Sequence, residues 1–365
     1  MNRRGSKKNR KRILFIILNV TLTVLALVCF SAVAILTGIL SSQKTAERWR
    51  GESDMAFSQV SCYIPVDAKL SISDIYKFRT DMQTKQHEAA LDAASENRLY
   101  VDAWSTTGKV KASTAIGSGD ASVIAVGGEF FNFHPLRLLS GSYISESDLM
   151  QDRVLLDPNL AWLLFGGTDL QGMEMRINGI PFMVAGVIER EEDFASQKAY
   201  TSGMGLYMSY EAYAQLSETA GISCYELVAA EPVEGFTKSM VQEIFPIGEG
   251  EIVENSSRYS VMSLLNVLRN FGRRSMHTSG VIYPYWENAA RLIEDWSTLL
   301  LFLGLLALLL PVATVLVILV RRLHKGIINV QENVLPKLAD GAQEAVRVRQ
   351  RRAWEKKQAK YQNKH

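Results

Sequence analysis

Two uninterrupted apolar runs limit what this chain can fold into. Ile13 to Leu40 is apolar for 28 residues, broken only by small or neutral polar side chains such as Asn19, Thr21 and Thr23. Leu299 to Val320 is 22 residues without a charge. A helix needs about 20 apolar residues to cross roughly 30 Å of hydrocarbon, so each run is long enough to span a membrane. The first run far exceeds the ~7–15 residues of a signal-peptide core, and no A-x-A-like site follows Leu40, so it reads as a signal-anchor.

Charge then sets the direction. The chain is net +2, but residues 1–12 carry seven Lys/Arg and no acid, and residues 321–365 are net +8, which leaves −13 for residues 13–320. Such polarity suits a chain divided between two sides of a membrane. Arg10, Lys11 and Arg12 precede the first run, and Arg321 and Arg322 follow the second. By the positive-inside rule both termini are expected in the cytoplasm. The expected layout is a cytoplasmic basic tail (1–12), a transmembrane helix (13–40), an extracytoplasmic core domain (41–256), stalk helices (257–298), a second transmembrane helix (299–320) and a basic cytoplasmic tail (321–365). The expected location is the plasma membrane of a bacterial cell.

The region outside opens with a polar stretch and a strand, Phe57 to Ile64. Ser71 and Asp74 have capping-box spacing, and Ile72, Ile75, Phe78 and Met82 give the following helix an apolar face to about Thr84. His87 to Asn97 is alanine-rich and is expected to continue as helix or loop. A second strand is expected over Leu99 to Ser105. Thr106 to Asp120, rich in Gly, Ser, Thr and Lys, reads as an exposed loop.

Gly127 to Glu189 has the most consistent local signals. Val154 to Leu156 is a short apolar run. Asp157-Pro158 starts a helix: a carboxylate to accept from free N–H groups, then a ring with φ preset for the first turn. Leu160, Ala161, Leu163 and Leu164 give its apolar face, and Gly166-Gly167 ends it. Met173, Met175 and Ile177 alternate with charged residues, Asn178-Gly179 predicts a type I′ hairpin, and Phe182 to Ile188 returns. Arg190 to Ser202 reads as a charged, solvated loop. Short elements follow at Leu206–Met208 and Ser209–Leu216, then a strand (Ser223–Ala230), a helix (Phe236–Ile244) and a strand (Glu251–Val253).

With residues 124–200 set aside as an inserted β lobe, the rest (57–105 and 222–254) reads strand–helix–strand twice. That is a repeated split βαβ unit, expected as a four-stranded antiparallel sheet with helices on one face. The fold class is therefore α+β: a split βαβ two-layer domain with an inserted small β-rich lobe, carried on two transmembrane helices. In this topology the first and third strands are neighbours, so Cys62 and Cys224 could be bonded or could be two buried free thiols.

Past Asn255, the spacing of Val261, Leu264, Leu265, Leu268 and Phe271 predicts a helix. Gly272-Arg273-Arg274 interrupts. Pro284 starts a stalk helix running into the second span, where Pro311 can kink it. Tyr283, Tyr285, Trp286 and Trp296 suit an interfacial aromatic belt. In the basic tail, Val330, Val334, Leu338, Ala342, Ala345 and Val346 form a weak apolar stripe that suits anionic lipid or a partner, or serves only to carry topology-setting charge.

Chemistry is sparse. His87, His134 and His277 lie far apart with no metal-ligand spacing, and G-x-S-x-G, H-E-x-x-H and G-x-x-x-x-G-K-[ST] do not occur. Neither a catalytic residue, a cofactor nor a metal is expected. Basic residues gather at membrane flanks rather than among exposed aromatics, which argues against nucleic acid.

Phe130-Phe131, Leu136 to Leu139, Gly141, Asp148, Val154 to Leu156, Leu160-Ala161, Phe165-Gly166, Asp169, Gly172, Met175 to Gly179 and Pro181 to Val187 together resemble the extracytoplasmic core domain of MacB-like ABC transporter permeases. The resemblance covers roughly residues 13–322. It marks Gly141, Asp157, Pro158, Phe165, Gly166, Gly172, Asn178, Gly179 and Gly186 as fold-signature positions. It implies a non-enzymatic membrane subunit of an export or mechanotransmission complex, acting as a dimer or beside a second permease subunit, and driven by a separate cytoplasmic ABC ATPase. Family permeases have four spans and a coupling segment with an R-x-x-E-I-G-like motif. Here two spans are expected, and IINVQENVLPKL stands where that motif would be, so the chain resembles a truncated, accessory form. The alternative is a membrane-anchored extracellular binding or sensor module, or a scaffold for cell-envelope enzymes.

Overall fold

The computed structural model describes residues 3–89, 91, 99–200, 204–217, 220–271, 280–330 and 335–362. Most of the stretch from Ala90 to Asn97, Gly272-Arg273-Arg274, His277 and Val334 lie outside them. The chain begins with helix α1 (Arg3–Ile39) and a short helix α2 (Thr45–Arg50), then strand β1 (Phe57–Tyr63), helix α3 (Ile72–Glu88) and the long strands β2 (Tyr100–Ser113) and β3 (Ser118–Gly128). Next come α4 (Phe130–Phe133), β4 (Leu138–Gly141), β5 (Arg153–Leu156), α5 (Pro158–Phe165), β6 (Glu174–Ile177), β7 (Ile180–Ile188) and α6 (Phe194–Ala199). Strand β8 (Gly205–Ser209), α7 (Tyr210–Leu216), β9 (Cys224–Ala230), α8 (Phe236–Ile244) and β10 (Glu251–Glu254) complete the sheet. Helices α9 (Val261–Asn270), α10 (Tyr285–Asn329) and α11 (Leu335–Gln362) end the chain. Residues 31–301 form one compact unit; residues 1–30 with 302–365 form another.

The larger unit is built on one ten-stranded sheet in the order β10-β1-β9-β2-β3-β8-β5-β7-β4, with β6 pairing β2 and β7. Its first four strands are antiparallel neighbours, the pattern of a split βαβ repeat. Helices α3 and α8 cover one face, where Ile75, Phe78, Met82 and Val241 join Val60, Cys62, Tyr225 and Leu227 in the larger core. The capping box at α3 forms: the Asp74 carboxylate accepts from the Ser71 N–H at 2.9 Å and the Ser71 hydroxyl at 2.6 Å. The opposite face is covered too, contrary to the one-faced expectation. Ala46 of α2, Phe130 and Phe133 of α4 and Trp286 of α10 pack there against Tyr63, Val101, Cys224 and Val228.

The lobe is a continuation of the same sheet. The stretch from Thr106 to Asp120 is not a loop but the outer half of the β2–β3 hairpin, paired from Ala103–Gly128 out to Ser113–Ser118. Two causes act together. Val110 and Ala112 alternate with Lys109 and Lys111 and are buried in the core shared with α5. At the turn, the Thr114 hydroxyl accepts from the Ile116 and Gly117 N–H groups and donates to the Leu164 carbonyl at 2.6 Å. Beyond the hairpin, β3 pairs β8 and β5 pairs β7 in parallel.

The signature residues of the lobe take structural positions. Asp157 accepts from the Leu160 N–H at 2.7 Å, Pro158 is the first residue of α5, Phe165 is its last, and Gly166 ends it at φ 76°. Asn178 and Gly179, at φ 49° and 87°, form the two-residue turn between β6 and β7. Gly172 also has positive φ. Gly141 and Gly186 lie face to face in the β4–β7 pair, so close that a Cβ on Gly186 would sit 2.3 Å from the Ser140 carbonyl oxygen.

Cys62 and Cys224 lie on neighbouring strands as the topology requires, yet both thiols are free. Cys62 faces Tyr225 and Cys224 faces Tyr63, so the two cysteines are one register step apart. Side chains alternate across a strand. Cys62 therefore joins the core under α3 and α8, and Cys224 the core on the other side. Burial, and secondarily Glu226, pushes both thiols well above their ordinary pKa.

In the smaller unit, α10 crosses close to α1. A Cβ on Gly304 would meet the Phe30 ring at 2.8 Å and the Cys29 Cβ at 3.2 Å. Two helical stretches, Asn9–Ile39 and Tyr285–Ile328, are long and apolar enough to cross a membrane.

Two outcomes follow for the fold. Gly186→Ala should lower the stability of the outer domain by about 3 kcal/mol or more, because the obstructing atom is backbone and cannot rotate away. Thermal unfolding and the amount of chain reaching the membrane read this directly, and an unchanged melting temperature would refute it. Cys62 and Cys224 should stay unreactive to a thiol reagent such as DTNB in the folded chain and react together on unfolding.

Candidate functional site

The most densely charged buried region lies where α10 meets the sheet. Glu287, Arg291 and Glu294 lie at i, i+4 and i+7 on α10, the spacing of one helix face. All three are buried, as is Arg258 from the loop between β10 and α9. Arg258 donates from Nη1 and Nη2 to the two Glu287 carboxylate oxygens, at 2.6 and 2.8 Å, and from Nε to Glu294 at 2.6 Å. Arg291 donates from Nε to Glu287 at 2.6 Å and from Nη2 to Glu251 of β10 at 2.9 Å. Tyr63, the last residue of β1, donates its hydroxyl to Glu287 at 2.9 Å. The Arg291 guanidinium lies 3.7 Å from the Tyr283 ring centre, and Tyr283 donates to Glu251.

Glu287 is the hub. Burial works to raise its pKa, but Arg258 and Arg291 outweigh that and hold the carboxyl down to about 2. The Arg258 guanidinium is held well above its ordinary range, against the effect of burial, by Glu287 and Glu294. Paired and fork-bonded charges of this kind remain ionised without water.

A second buried pair continues from the network into the sheet. His134 Nε2 lies 2.5 Å from Glu226 Oε2 on β9, and Ser61 donates to the other Glu226 oxygen at 3.1 Å. Asn255 donates to Ser61 at 2.7 Å and accepts from Arg258 at 3.1 Å, which links the two clusters. The His134 ring packs 4.4 Å from that of Trp286. Between them lies a cavity of about 410 Å³ lined by Tyr63, His134, Glu226, Asn255, Arg258 and Glu287, among others.

Apolar contacts complete the attachment. Phe194–Ala199, within the stretch expected as a solvated loop, is the helix α6, capped by Asp193, whose carboxylate accepts from the Ala195 and Ser196 N–H groups at 3.0 and 2.9 Å. Ala195 and Ala199 pack on Ala289, Ala290 and Ile293 of α10, together with Leu40. Small residues, which made this stretch look like a loop, let the two helices approach. Tyr200 stacks on Tyr285 at 4.4 Å, and Tyr285 donates to Glu191 at 2.9 Å. The aromatic belt is accordingly revised: Trp286 is 2% exposed and, with Tyr283 and Tyr285, packs on the domain, while Trp296 is 45% exposed.

The sequence signatures do not converge here. Gly141, Asp157, Phe165, Gly172, Asn178, Gly179 and Gly186 all belong to the lobe's own packing. Arg10, Lys11, Arg12, Arg321 and Arg322 are exposed on α1 and α10. Arg258, Glu287, Arg291 and Glu251 were not found by sequence reasoning. The i, i+4, i+7 charges of α10 were the available signal, and they read equally as a solvated helix face. Among the described residues no group of three or more His, Cys, Asp or Glu could hold a metal ion.

The structure is thus an α+β extracytoplasmic type of domain joined to two helices of membrane-spanning length. The family model for the MacB-like periplasmic core domain matches residues 20–299, and the chain belongs to that family, whose members are domains of ABC-type transporter permeases. Three solved structures are similar over much of the chain. The extracellular domain of the noncanonic ABC-type transporter YknZ from Gram-positive bacteria is 14% identical, with a TM-score of 0.36, covering 52% of this chain and 92% of that one. The periplasmic region of MacB from Actinobacillus actinomycetemcomitans is 16% identical, with a TM-score of 0.40, covering 64% and 100%. A domain of a permease protein from Porphyromonas gingivalis is 11% identical, with a TM-score of 0.33, covering 58% and 96%. No curated protein matches the chain.

Removing the Glu287 carboxylate strands two buried guanidinium groups. Glu287→Ala should cost the outer domain about 3–5 kcal/mol, measured by denaturant unfolding. Acid should act on the same hub. Because the folded pKa is depressed, the stability is present above the ordinary value of 4.5 and is lost as pH falls toward about 2. Thermal melts between these limits should show the decline in the parent chain and a shallower one in Glu287→Gln.

Proposed function

We propose that this chain is a non-enzymatic subunit of a MacB-like ABC export or mechanotransmission complex, in which a separate cytoplasmic ATPase moves the outer domain through α10. The observation that carries this reading is the attachment of α10. One helix of 45 residues holds the buried hub Glu287 within its first turn and the whole apolar run Leu299–Val320 further along. A displacement of the span is therefore delivered to β1 and β10 through ion pairs and hydrogen bonds rather than through a loop. Both termini lie in the cytoplasm on this reading, set by Arg10, Lys11, Arg12, Arg321 and Arg322. The partners are the ATPase and a second permease chain, either another copy or a full permease.

Purification of the full chain from native membranes in mild detergent tests it. The expected result is a dimeric or hetero-oligomeric species carrying a nucleotide-binding subunit. A monomer without an ATPase overturns the proposal. A second measurement addresses coupling. Three glycines inserted between Thr298 and Leu299 should leave the unfolding of the outer domain and ATPase binding unchanged. They should also change the ATP hydrolysis rate of the purified complex several-fold, whereas an unaltered rate would separate α10 from coupling.

A further inference from the structure

The described residues of helix α11 from Gly341 to Glu355 are all exposed. Their arrangement is ordered nonetheless. At about 100° per residue, Ala342, Val346 and Ala353 fall within about 40° of one another on the helix surface. Glu344 and Glu355 fall within about 20° of each other on the opposite side. Arg349 borders the apolar strip and Arg352 lies further round on the same side, whereas the exposed Trp354 stands about midway and Arg347 and Arg351 lie nearer Glu344 and Glu355. The helix as a whole carries eight Lys/Arg and three Asp/Glu.

These positions restrict the occupant. A strip of alanines and one valine is too thin to enter hydrocarbon by its apolar area alone, so any surface it adheres to must supply negative charge. Arg349 and Arg352 flank the strip on one side and the acids stand away from it, which suits a flat anionic surface better than a groove of mixed sign. Covalent connection favours one such surface. The helix follows Leu299–Val320 and the basic residues Arg321, Arg322 and Lys325, so a bilayer is tethered next to it, and basic segments beside a span bind anionic headgroups.

We propose that α11 docks along the surface of an anionic lipid leaflet, with Ala342, Val346 and Ala353 toward the lipid and Arg349 and Arg352 on headgroup phosphates. The proposal does not depend on which compartment holds the tail, nor on the coupling role of α10, so it stands or falls separately from them.

The test uses the full chain in nanodiscs of phosphatidylcholine alone or mixed with phosphatidylglycerol, with amide hydrogen exchange followed over residues 341–355. Exchange should be about tenfold slower or more in the anionic discs. It should return to the neutral-disc rate in about 1 M salt, where the Debye length is about 3 Å. The variant R349Q/R352Q should lose most of the slowing while exchange in the outer domain stays the same. Equal exchange in the two lipids overturns the proposal, as does slowing that resists salt. Slowing that appears in neutral discs only after a cytoplasmic ATPase or nucleic acid is added assigns the helix to that partner instead.

Discussion

The carboxylate of Glu287 holds the outer domain to its return helix. Taking it and two guanidinium groups out of water costs several kcal/mol per ion, and their attraction offsets this only when every donor and acceptor is aligned. Here Arg258 donates to Glu287 from both fork nitrogens, Arg291 donates from Nε and turns Nη2 to Glu251, and Tyr63 contributes the remaining hydrogen bond. Apolar side chains of equal volume would give similar stability, so the network's contribution is geometric. A greasy contact tolerates sliding, whereas a bidentate pair with third and fourth partners fixes the rotation and height of α10 against β1 and β10.

That constraint explains the second face of the sheet. A split βαβ unit needs helices on one side only, and α3 and α8 supply them. The other side would be exposed if α10 began at the end of the apolar run. Instead its first turns lie on the sheet, Trp286 fills the space beside His134 and Phe130, and α6 closes the flank with small residues.

Much of the fold was legible because its signals are local. Asp157-Pro158, Asn178-Gly179 and the Ser71/Asp74 box each act within four residues, and the alternation of β6 and β7 is unambiguous. That β1 and β9 are neighbours in an antiparallel sheet followed from counting elements. The hairpin through Thr106 to Asp120 was missed because small polar residues masked the alternation of Val110 and Ala112 with lysines, and its buried side depends on α5, distant in sequence. The network was invisible for a similar reason. Arg258 and Glu287 are 29 residues apart, and a charged triplet on a stalk looks solvated until a sheet covers it. The cysteines show how narrow such inference is: pairing the correct strands still left the thiols on opposite faces, because a single register step decides.

The length of β2 has a mechanical consequence. Fourteen residues of extended chain reach roughly 45 Å, and this one strand pairs β9 at its inner end and β6 at its outer end. The base and the lobe consequently share a continuous hydrogen-bonded ribbon and have no hinge between them. Bending one relative to the other would require the ladder to twist or to break. Force arriving at the inner strands should therefore tilt the whole outer domain as a lever, with the lobe's far end sweeping the larger arc.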